Sequence, residues 1–383
     1  MNISVETQDL TYATALAQQV SKDKSPVPIV SSVVFRATED GVIFVYATDL
    51  EISLKSRIQG EVHEAGAVCL PAKKFFNMLQ SLSNDYPVHI IGQRNDRCLI
   101  KSGRGQYRLA GFEVAEFPEM VEYNQDSEDE DQKVMVIDAH QFRMAIDQTV
   151  FATSTDSNEV LNSVHFNFDE QSTEVVATDR FCLSLVNLIP ENSSGVNDKK
   201  LTLSQTTVKQ LRKVFATSFT ITVMIEDNMV IFTDATNTLT ARLIAGDYID
   251  YKAIIQIQDY QGTAIIPRKV LVDAVRRINV ISSLVKGNVM TLHVESGEQG
   301  PQLRIETEVK EEGDAEEILS VEEISGEISI TVNSETIIKA LNSMRSDTVK
   351  LVFDQPTKPL YIEAVGDDLQ NDHTCLIMPM RAS

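Results

Sequence analysis

The chain has 383 residues, with 34 Lys and Arg against 56 Asp and Glu, a formal charge of −22. Apolar residues make up 43% and charged residues 23%, near the averages of globular domains, which excludes a disordered chain or a fibre. No apolar run approaches the roughly 18 residues of a membrane span, and Met1 leads directly into polar NISVETQD, so the expectation is no membrane segment, no signal peptide and a cytoplasmic protein.

In chain order, the first helical stripe is Leu10, Ala13, Leu16, Ala17 and Val20. Alternation from Val42 to Ala47 predicts a half-buried strand. Pro71 then opens a second helix, marked by Phe75, Phe76, Leu79 and Leu82. Residues Asp126–Asp131 carry five acids in six positions and predict a solvated linker, which sets a boundary near 125. Phe142, Ala145, Ile146 and Val150 mark the third helix; Val208, Leu211 and Phe215, after Ser204, mark the fourth. Phe219–Ile225 alternates as a strand does, and a second boundary falls near 255. Leu271, Ala274, Ile278 and Ile281 form the fifth helix, with Pro267 suited to its first turn. Glu306 to Glu323 holds nine acids and only Lys310 opposing, which predicts a solvated loop and strand edge. Ile328–Val332 reads as a strand, and Asn333 or Ser334 starts the sixth helix through Ile337, Ile338, Leu341 and Met344.

These elements repeat. Ala47-Thr48-Asp49-Leu50 recurs as Ala177-Thr178-Asp179-Arg180, with Thr48 and Thr178 set 130 positions apart, and Ser31–Phe35 matches Asn162–Phe166. Each unit reads helix, strands, helix, strands. The fold class is therefore α+β, with three repeated domains, 1–125, 126–255 and 256–383, each with two helices packed on antiparallel sheets.

Positive charge is gathered locally. Lys199, Lys200, Lys209, Arg212 and Lys213 lie in an acid-free run, and Arg268, Lys269, Arg276, Arg277 and Lys286 face only Asp273. Lys73 and Lys74 open the second helix. Recurrence across three units points to one shared surface facing a polyanion. No aromatic residues interleave these cations and no base-reading motif occurs, so the implied contact is with phosphates, without sequence preference.

Catalytic and metal motifs are missing. Cys69, Cys98, Cys182 and Cys375 are far apart, with no CxxC, which fits a reducing compartment. The six histidines make no HxH or HExxH, there is no GxxxxGK[ST] or GxSxG, and Arg108 stands where a dinucleotide loop opening at Gly103-Arg104-Gly105 needs its third glycine. Asp49 and Asp179, recurring in a Thr-Asp pair, suit a turn better than a metal. We expect no enzyme, no cofactor and no metal.

The closing Met378-Pro379-Met380-Arg381, together with Leu70-Pro71-Ala72-Lys73-Lys74-Phe75-Phe76, Ala47–Glu51 and Gly246-Asp247-Tyr248-Ile249-Asp250-Tyr251, resembles the bacterial DNA polymerase III β subunits, the β sliding clamps. The resemblance runs the length of the chain. It implies a ring-shaped head-to-tail homodimer around duplex DNA, lined by twelve helices, with the DNA polymerase III catalytic subunit, the clamp loader and other clamp-binding-motif proteins as partners, and no membrane. With helices about 10 Å wide, six would leave a hole near 9 Å and twelve one near 28 Å, so a ring for duplex DNA takes two copies.

Matching positions imply DNA contact at Lys24 and Lys73; the charge argument adds Arg268, Lys269, Arg276 and Arg277, with Lys199, Lys200, Lys209 and Arg212 as substitutes in the middle domain. For a partner-peptide pocket the resemblance implies Leu161, Thr178, Arg180, Phe181, Cys182 and Leu183 from the second domain. Ile249, Ile254, Met378, Pro379, Met380 and Arg381 complete it. Arg180-Phe181-Cys182 departs from the family's commoner Gly/Ser-His/Tyr-Arg. For the subunit seam it implies Lys74, Tyr107 and Leu109 against Val280 and Ile281. The alternative is an acidic three-domain protein-binding scaffold that does not encircle DNA; a second rival is an enzyme whose site escapes motif reading.

Overall fold

The computed structural model describes residues 1–21, 27–120, 134–156, 158–168, 172–188, 199–226, 228–256, 261–284, 286–298, 300–366 and 371–380. The acidic run 126–131 and the candidates Lys24 and Arg381 lie outside the described residues.

The six helices expected from apolar spacing are α1 (Thr7–Val20), α2 (Ala72–Gln80), α3 (Ala139–Thr149), α4 (Gln205–Val214), α6 (Arg268–Ser282) and α7 (Ser334–Ser343). A single turn, α5 (Tyr251–Ile254), has no apolar period and was not expected. The helices bury most of the stripes that predicted them: Leu10, Ala13, Leu16, Ala17 and Val20 on α1, and Leu271, Ala274 and Ile278 on α6, where Ile281, at the end of the stripe, is half-buried. Asn333 caps α7, its Oδ1 accepting from the Thr336 amide at 2.8 Å. Pro267 differs from expectation. It ends strand Gly262–Pro267 and sits at the N-cap of α6, where its missing N–H costs nothing.

The chain forms two compact units, Met1–His140 with Thr206–Leu243, and Gln141–Gln205 with Ile244–Ser383. The first has a five-stranded and an eight-stranded sheet, the second a nine-stranded and a four-stranded one. All pairings are antiparallel. In the eight-stranded sheet, Ile52–Ile58 of the first repeat pairs with Asn237–Arg242 of the second, Leu54 opposite Leu239. In the nine-stranded sheet, Cys182–Leu188 of the second repeat pairs with Asn371–Ile377 of the third, Cys182 opposite Ile377. The repeats are thus joined by shared sheets, and the middle repeat contributes strands to both units.

Helices pack on the eight-, nine- and four-stranded sheets. Phe75 of α2 meets Phe35 edge to face at 5.3 Å, and Phe142 of α3 stacks on Phe166 at 5.5 Å. The acidic stretch Glu306–Glu323 is more strand than loop. It forms most of a hairpin, Gly300–Val309 with Gly313–Ser320, whose second strand is a sheet edge. The four cysteines are free and buried; burial pushes the Cys69 and Cys98 thiols up to about 11 and Cys375 up to about 12, which leaves them unreactive. No helix among the described residues is long and apolar enough to cross a membrane.

Candidate functional site

The repeated Thr-Asp pair is a hairpin turn. Asp179 Oδ1 accepts from the amides of Phe181 (2.8 Å) and Cys182 (2.7 Å), while Thr178 Oγ1 donates to the Cys182 carbonyl and accepts from the Arg180 amide. Thr48 and Asp49 make the same bonds around Leu50. Both turns force a non-glycine residue to positive φ, Leu50 at +80° and Arg180 at +79°. Such a conformation costs about 1–2 kcal/mol, which the side-chain hydrogen bonds offset. Among the described residues no group of three or more His, Cys, Asp or Glu is placed to hold a metal.

In the second unit this turn lifts Phe181 into solvent, 72% exposed, while Cys182 and Leu183 go under. Leu183 opposes Leu376 across the strand pair. Both belong to one apolar cluster with Val176, Leu185, Tyr251, Val352 and Tyr361. The C-terminal segment follows directly: the Met378 amide donates to the Phe181 carbonyl and the Met380 amide to the Thr331 carbonyl, each at 2.8 Å. Tyr361 donates from its hydroxyl to the Ile254 carbonyl at 3.2 Å, bringing the exposed Ile254 to the same patch. Phe181, Ile254 and Met378 are exposed, Ile249, Pro379 and Met380 half-buried, and Leu161, Thr178, Cys182 and Leu183 buried. The result is an apolar floor with a soft rim, suited to a short peptide with apolar anchors.

A latch beside this patch was not legible in the motifs. Tyr248 stacks on His165 with ring centroids 4.6 Å apart and planes 5° from parallel. Burial, with the Lys200 charge, depresses His165 to about 4, so the ring is neutral at pH 7. Glu174 accepts from Tyr251 (2.6 Å), Asn167 (2.7 Å) and Lys252 (3.0 Å). Burial alone would raise this carboxyl, but those donors more than offset it and hold it below the ordinary range. Asp250 caps α5 through the Ala253 amide. The Gly246–Tyr251 motif showed the two tyrosines, but their partners come from strands far away in sequence.

The candidate cations differ in what holds them. On α4, Lys209 and Arg212 lie on the exposed face opposite Val208 and Leu211, and on α2 Lys73 and Lys74 are exposed. Lys199 and Lys200 are not on a helix; they begin the edge strand Lys199–Ser204, opposite Phe168 and Asn167. On α6, Lys269 is exposed, and Arg276 lies 3.7 Å from Asp273 and donates to Asn342. Arg268 donates to the Ser346 carbonyl at 2.6 Å and to Leu341 near the end of α7. Arg277 is bidentate to Glu317, at 2.6 and 2.9 Å.

At the seam candidates, Tyr107 is exposed and Leu109 half-buried on the edge strand Gly105–Ala110, and Lys74 is exposed on α2. Val280 is 66% exposed on α6 and Ile281 half-buried. Sequence reading missed Ile318, 55% exposed on the edge strand Gly313–Ser320, because it lies within an acidic stretch, directly after Glu316 and Glu317.

Comparison with known proteins agrees with this architecture. Curated relatives include proteins named beta sliding clamp from Synechocystis sp., 24% identical over all of this chain and 99% of that one, and from Haemophilus influenzae, 25% identical over the whole of both. Solved structures with the same fold include the beta subunit from DNA polymerase of Streptococcus pyogenes and the DNA polymerase sliding clamp of Bacillus subtilis. Each has a TM-score of 0.90 at 21% identity over the full length of both chains. The family described as DNA polymerase III beta subunit matches in three parts, its N-terminal domain at residues 1–121, its central domain at 136–250 and its C-terminal domain at 257–381. With all three in order over nearly the whole sequence, the chain belongs to the DNA polymerase III beta subunit family.

Proposed function

We propose that this chain works as a DNA sliding clamp, a non-catalytic processivity factor that keeps a replicative polymerase on duplex DNA. The observation that carries this is the ordered match of all three family domains over a chain whose sheets join its repeats. The three domains are assigned to 1–125, 126–255 and 256–383, and the protein to the cytoplasm, where replication takes place in a bacterial cell.

The working form is a head-to-tail homodimer. Each chain presents two free strand edges of opposite character. Gly105–Ala110 borders the five-stranded sheet, with Arg104 and Arg108 exposed. Gly313–Ser320 borders the four-stranded sheet, with Glu311, Glu312, Asp314 and Glu316 exposed. A free edge is a template for another strand. Pairing like with like would oppose charges of one sign; pairing the basic edge of one copy with the acidic edge of the next does not, and such heterologous contacts close into rings. Tyr107 and Leu109 on one side, and Val280 and Ile318 on the other, supply apolar contact.

The cations on α2, α4 and α6 face DNA phosphates, weakly and without sequence preference, so the ring slides and its closure prevents escape. With a Debye length near 8 Å, the acidic remainder is screened from that lining. The patch around Phe181, Ile254 and Met378 takes clamp-binding peptides of the polymerase catalytic subunit, the clamp loader and other partners.

The test is topological. Protein loaded on a nicked circular DNA should survive moderate salt and be released once the circle is cut. Equal release from circular and linear DNA would refute encirclement.

A further inference from the structure

We propose that the strand Val134–Asp138, an edge of the eight-stranded sheet, is a docking site for an extended segment of a partner protein that carries a valine or isoleucine directly after a glutamate. The other repeats show what belongs there. The strand leading into the first helix of each repeat is Asn2–Val5 before α1, Val134–Asp138 before α3 and Gly262–Pro267 before α6. In the first and third repeats a short strand covers its outer side, Glu61–Glu64 and Glu323–Ser325 respectively. Among the described residues no strand covers Val134–Asp138.

Counting back from the helix fixes the equivalence. Ile3, Met135 and Ala264 lie four residues before α1, α3 and α6. On the inner side they oppose Ile90, Val223 and Leu351. On the outer side Ile3 opposes Val62 and Ala264 opposes Ile324, while the next residues, Ser4 and Ile265, oppose Glu61 and Glu323. Both covering strands thus set a glutamate and then a β-branched aliphatic residue, antiparallel, against the same two positions. Val62 and Ile324 each lie ten residues before the second helix of their repeat, α2 and α7. At the same count before α4 the sequence has Gly195 after Ser194, so the middle repeat encodes neither side chain.

Burial follows the cover. Two residues before the helix, Val5 and Ile266 are buried, whereas Ile137 is only half-buried. Three residues before it, Ser4 is buried and Ile265 half-buried, whereas Val136 is 44% exposed. The Ile265 carbonyl accepts from the Glu322 amide at 2.9 Å, so at this position the main chain turns toward the covering segment. Main-chain groups alternate in direction along a strand, and Val136, at the same place, turns its amide and carbonyl to the open side.

An incoming strand completes this edge in two ways. Its main chain supplies the hydrogen-bond ladder that a free edge offers to any strand, and its side chains decide which strand fits. A valine or isoleucine opposite Met135 continues the buried face and closes over Ile137. The glutamate opposite Val136 stays in water, as the exposed Glu61 and Glu323 do. It meets no like charge on the strands beside it, since residues 134–137 and 220–225 carry none. Beyond the last pair, Asp138 with Thr220, Phe219 is 89% exposed, its carbonyl held by the Ala139 amide at 2.9 Å. Its ring offers an apolar contact to a residue ahead of the glutamate.

Fluorescence anisotropy with a labelled peptide Val-Glu-Glu-Ile-Ser-Gly, the sequence of residues 321–326, tests the site on the full-length protein. The peptide should bind, and the same peptide with glycine for isoleucine should bind about tenfold more weakly. Val136→Lys, which puts a charge on the open edge, should weaken the parent peptide about as much. Thermal melting checks that this variant is folded; if it is not, Phe219→Ala is read the same way. Methylating the peptide's main-chain nitrogens at alternate residues should abolish binding for one set and spare it for the other, because only every second residue faces the edge. An excess of a clamp-binding peptide should not displace the probe. No binding, affinity unchanged in the folded variant, equal loss from both methylated sets, or displacement by the clamp-binding peptide overturns the proposal.

Discussion

Phe181 and Met378 are joined main chain to main chain, the Met378 amide donating to the Phe181 carbonyl at 2.8 Å. This bond sets the last residues of the chain beside the turn of a hairpin almost 200 positions earlier, and it fixes two exposed apolar side chains on one rim. Because the bond uses backbone atoms, either side chain can be removed without untying the tail. Met380 lies deeper, its Cε 3.2 Å from where a Cβ on Gly287 would be.

Truncating these side chains should therefore weaken partner peptides and leave the assembly intact. Phe181→Ala or Met380→Ala is expected to cost about 1–3 kcal/mol of peptide binding, roughly tenfold or more. Anisotropy with a polymerase-derived clamp-binding peptide reads the loss, and sedimentation reads the dimer. Unchanged peptide affinity in both variants would remove this patch as the binding site.

The α6 cations should differ in their DNA contribution although they are close in sequence. Lys269 faces solvent, while Arg277 is already neutralised by two hydrogen bonds to Glu317. Lys269→Ala should lower the slope of log affinity against log salt by about one unit per ring position. Arg277→Ala should change it less, and Glu317→Gln should increase DNA affinity by freeing the guanidinium. Equal slopes for the two alanine variants would show that the Glu317 pairing does not matter to DNA.

Much of this was legible in the sequence. Leu10 to Val20 and Leu271 to Ile278 announce their helices because burial on one side imposes a 3.6-residue period. The Thr48 and Thr178 repeats announced a turn because Asp and Thr side chains bond their own backbone within a few residues. What stayed hidden depends on distant partners. Nothing local to Arg277 names Glu317, forty positions on, and nothing around Tyr248 names His165. The sharing of the middle repeat between two sheets was also invisible, since strand periodicity shows which face is buried but not which strand lies alongside.

Acid should destabilise the second unit through its buried histidines. His373 is enclosed by Gln148, Ser184 and Cys375, and burial depresses it to about 3; His165 is depressed to about 4. Both are neutral when folded and titrate near 6.5 when unfolded, so the unfolded chain takes up more protons below that value. Stability is fully present above pH 6.5 and is lost as pH falls toward 4, by about 2 kcal/mol per histidine at pH 5. Thermal melts from pH 7 to pH 5 should show this decline. His373→Gln should melt lower at pH 7 yet depend less steeply on pH; parallel curves for parent and variant would exclude His373 as a source.

The two strand edges make a seam whose charges can be exchanged. Arg104→Glu with Arg108→Glu gives Gly105–Ala110 the sign of Gly313–Ser320, and the dimer should weaken. Exposed pairs contribute about 0.2–1 kcal/mol each, so reversing two should raise the dissociation constant by tenfold or more at low salt and less at high salt. Glu312→Lys with Asp314→Lys, chosen because Glu316 and Glu317 already serve Arg304 and Arg277, should weaken it alike. Mixing the two variants should give a ring with one native and one charge-exchanged seam, both complementary, and combining all four changes in one chain should give two exchanged seams and restore the dimer. Asp at both Val280 and Ile281 removes the apolar part of the contact and should give monomers at any salt concentration. Sedimentation velocity distinguishes these outcomes. A dimer that persists in the Val280→Asp/Ile281→Asp variant, or that the four-fold exchange fails to rescue, places the seam elsewhere on the chain.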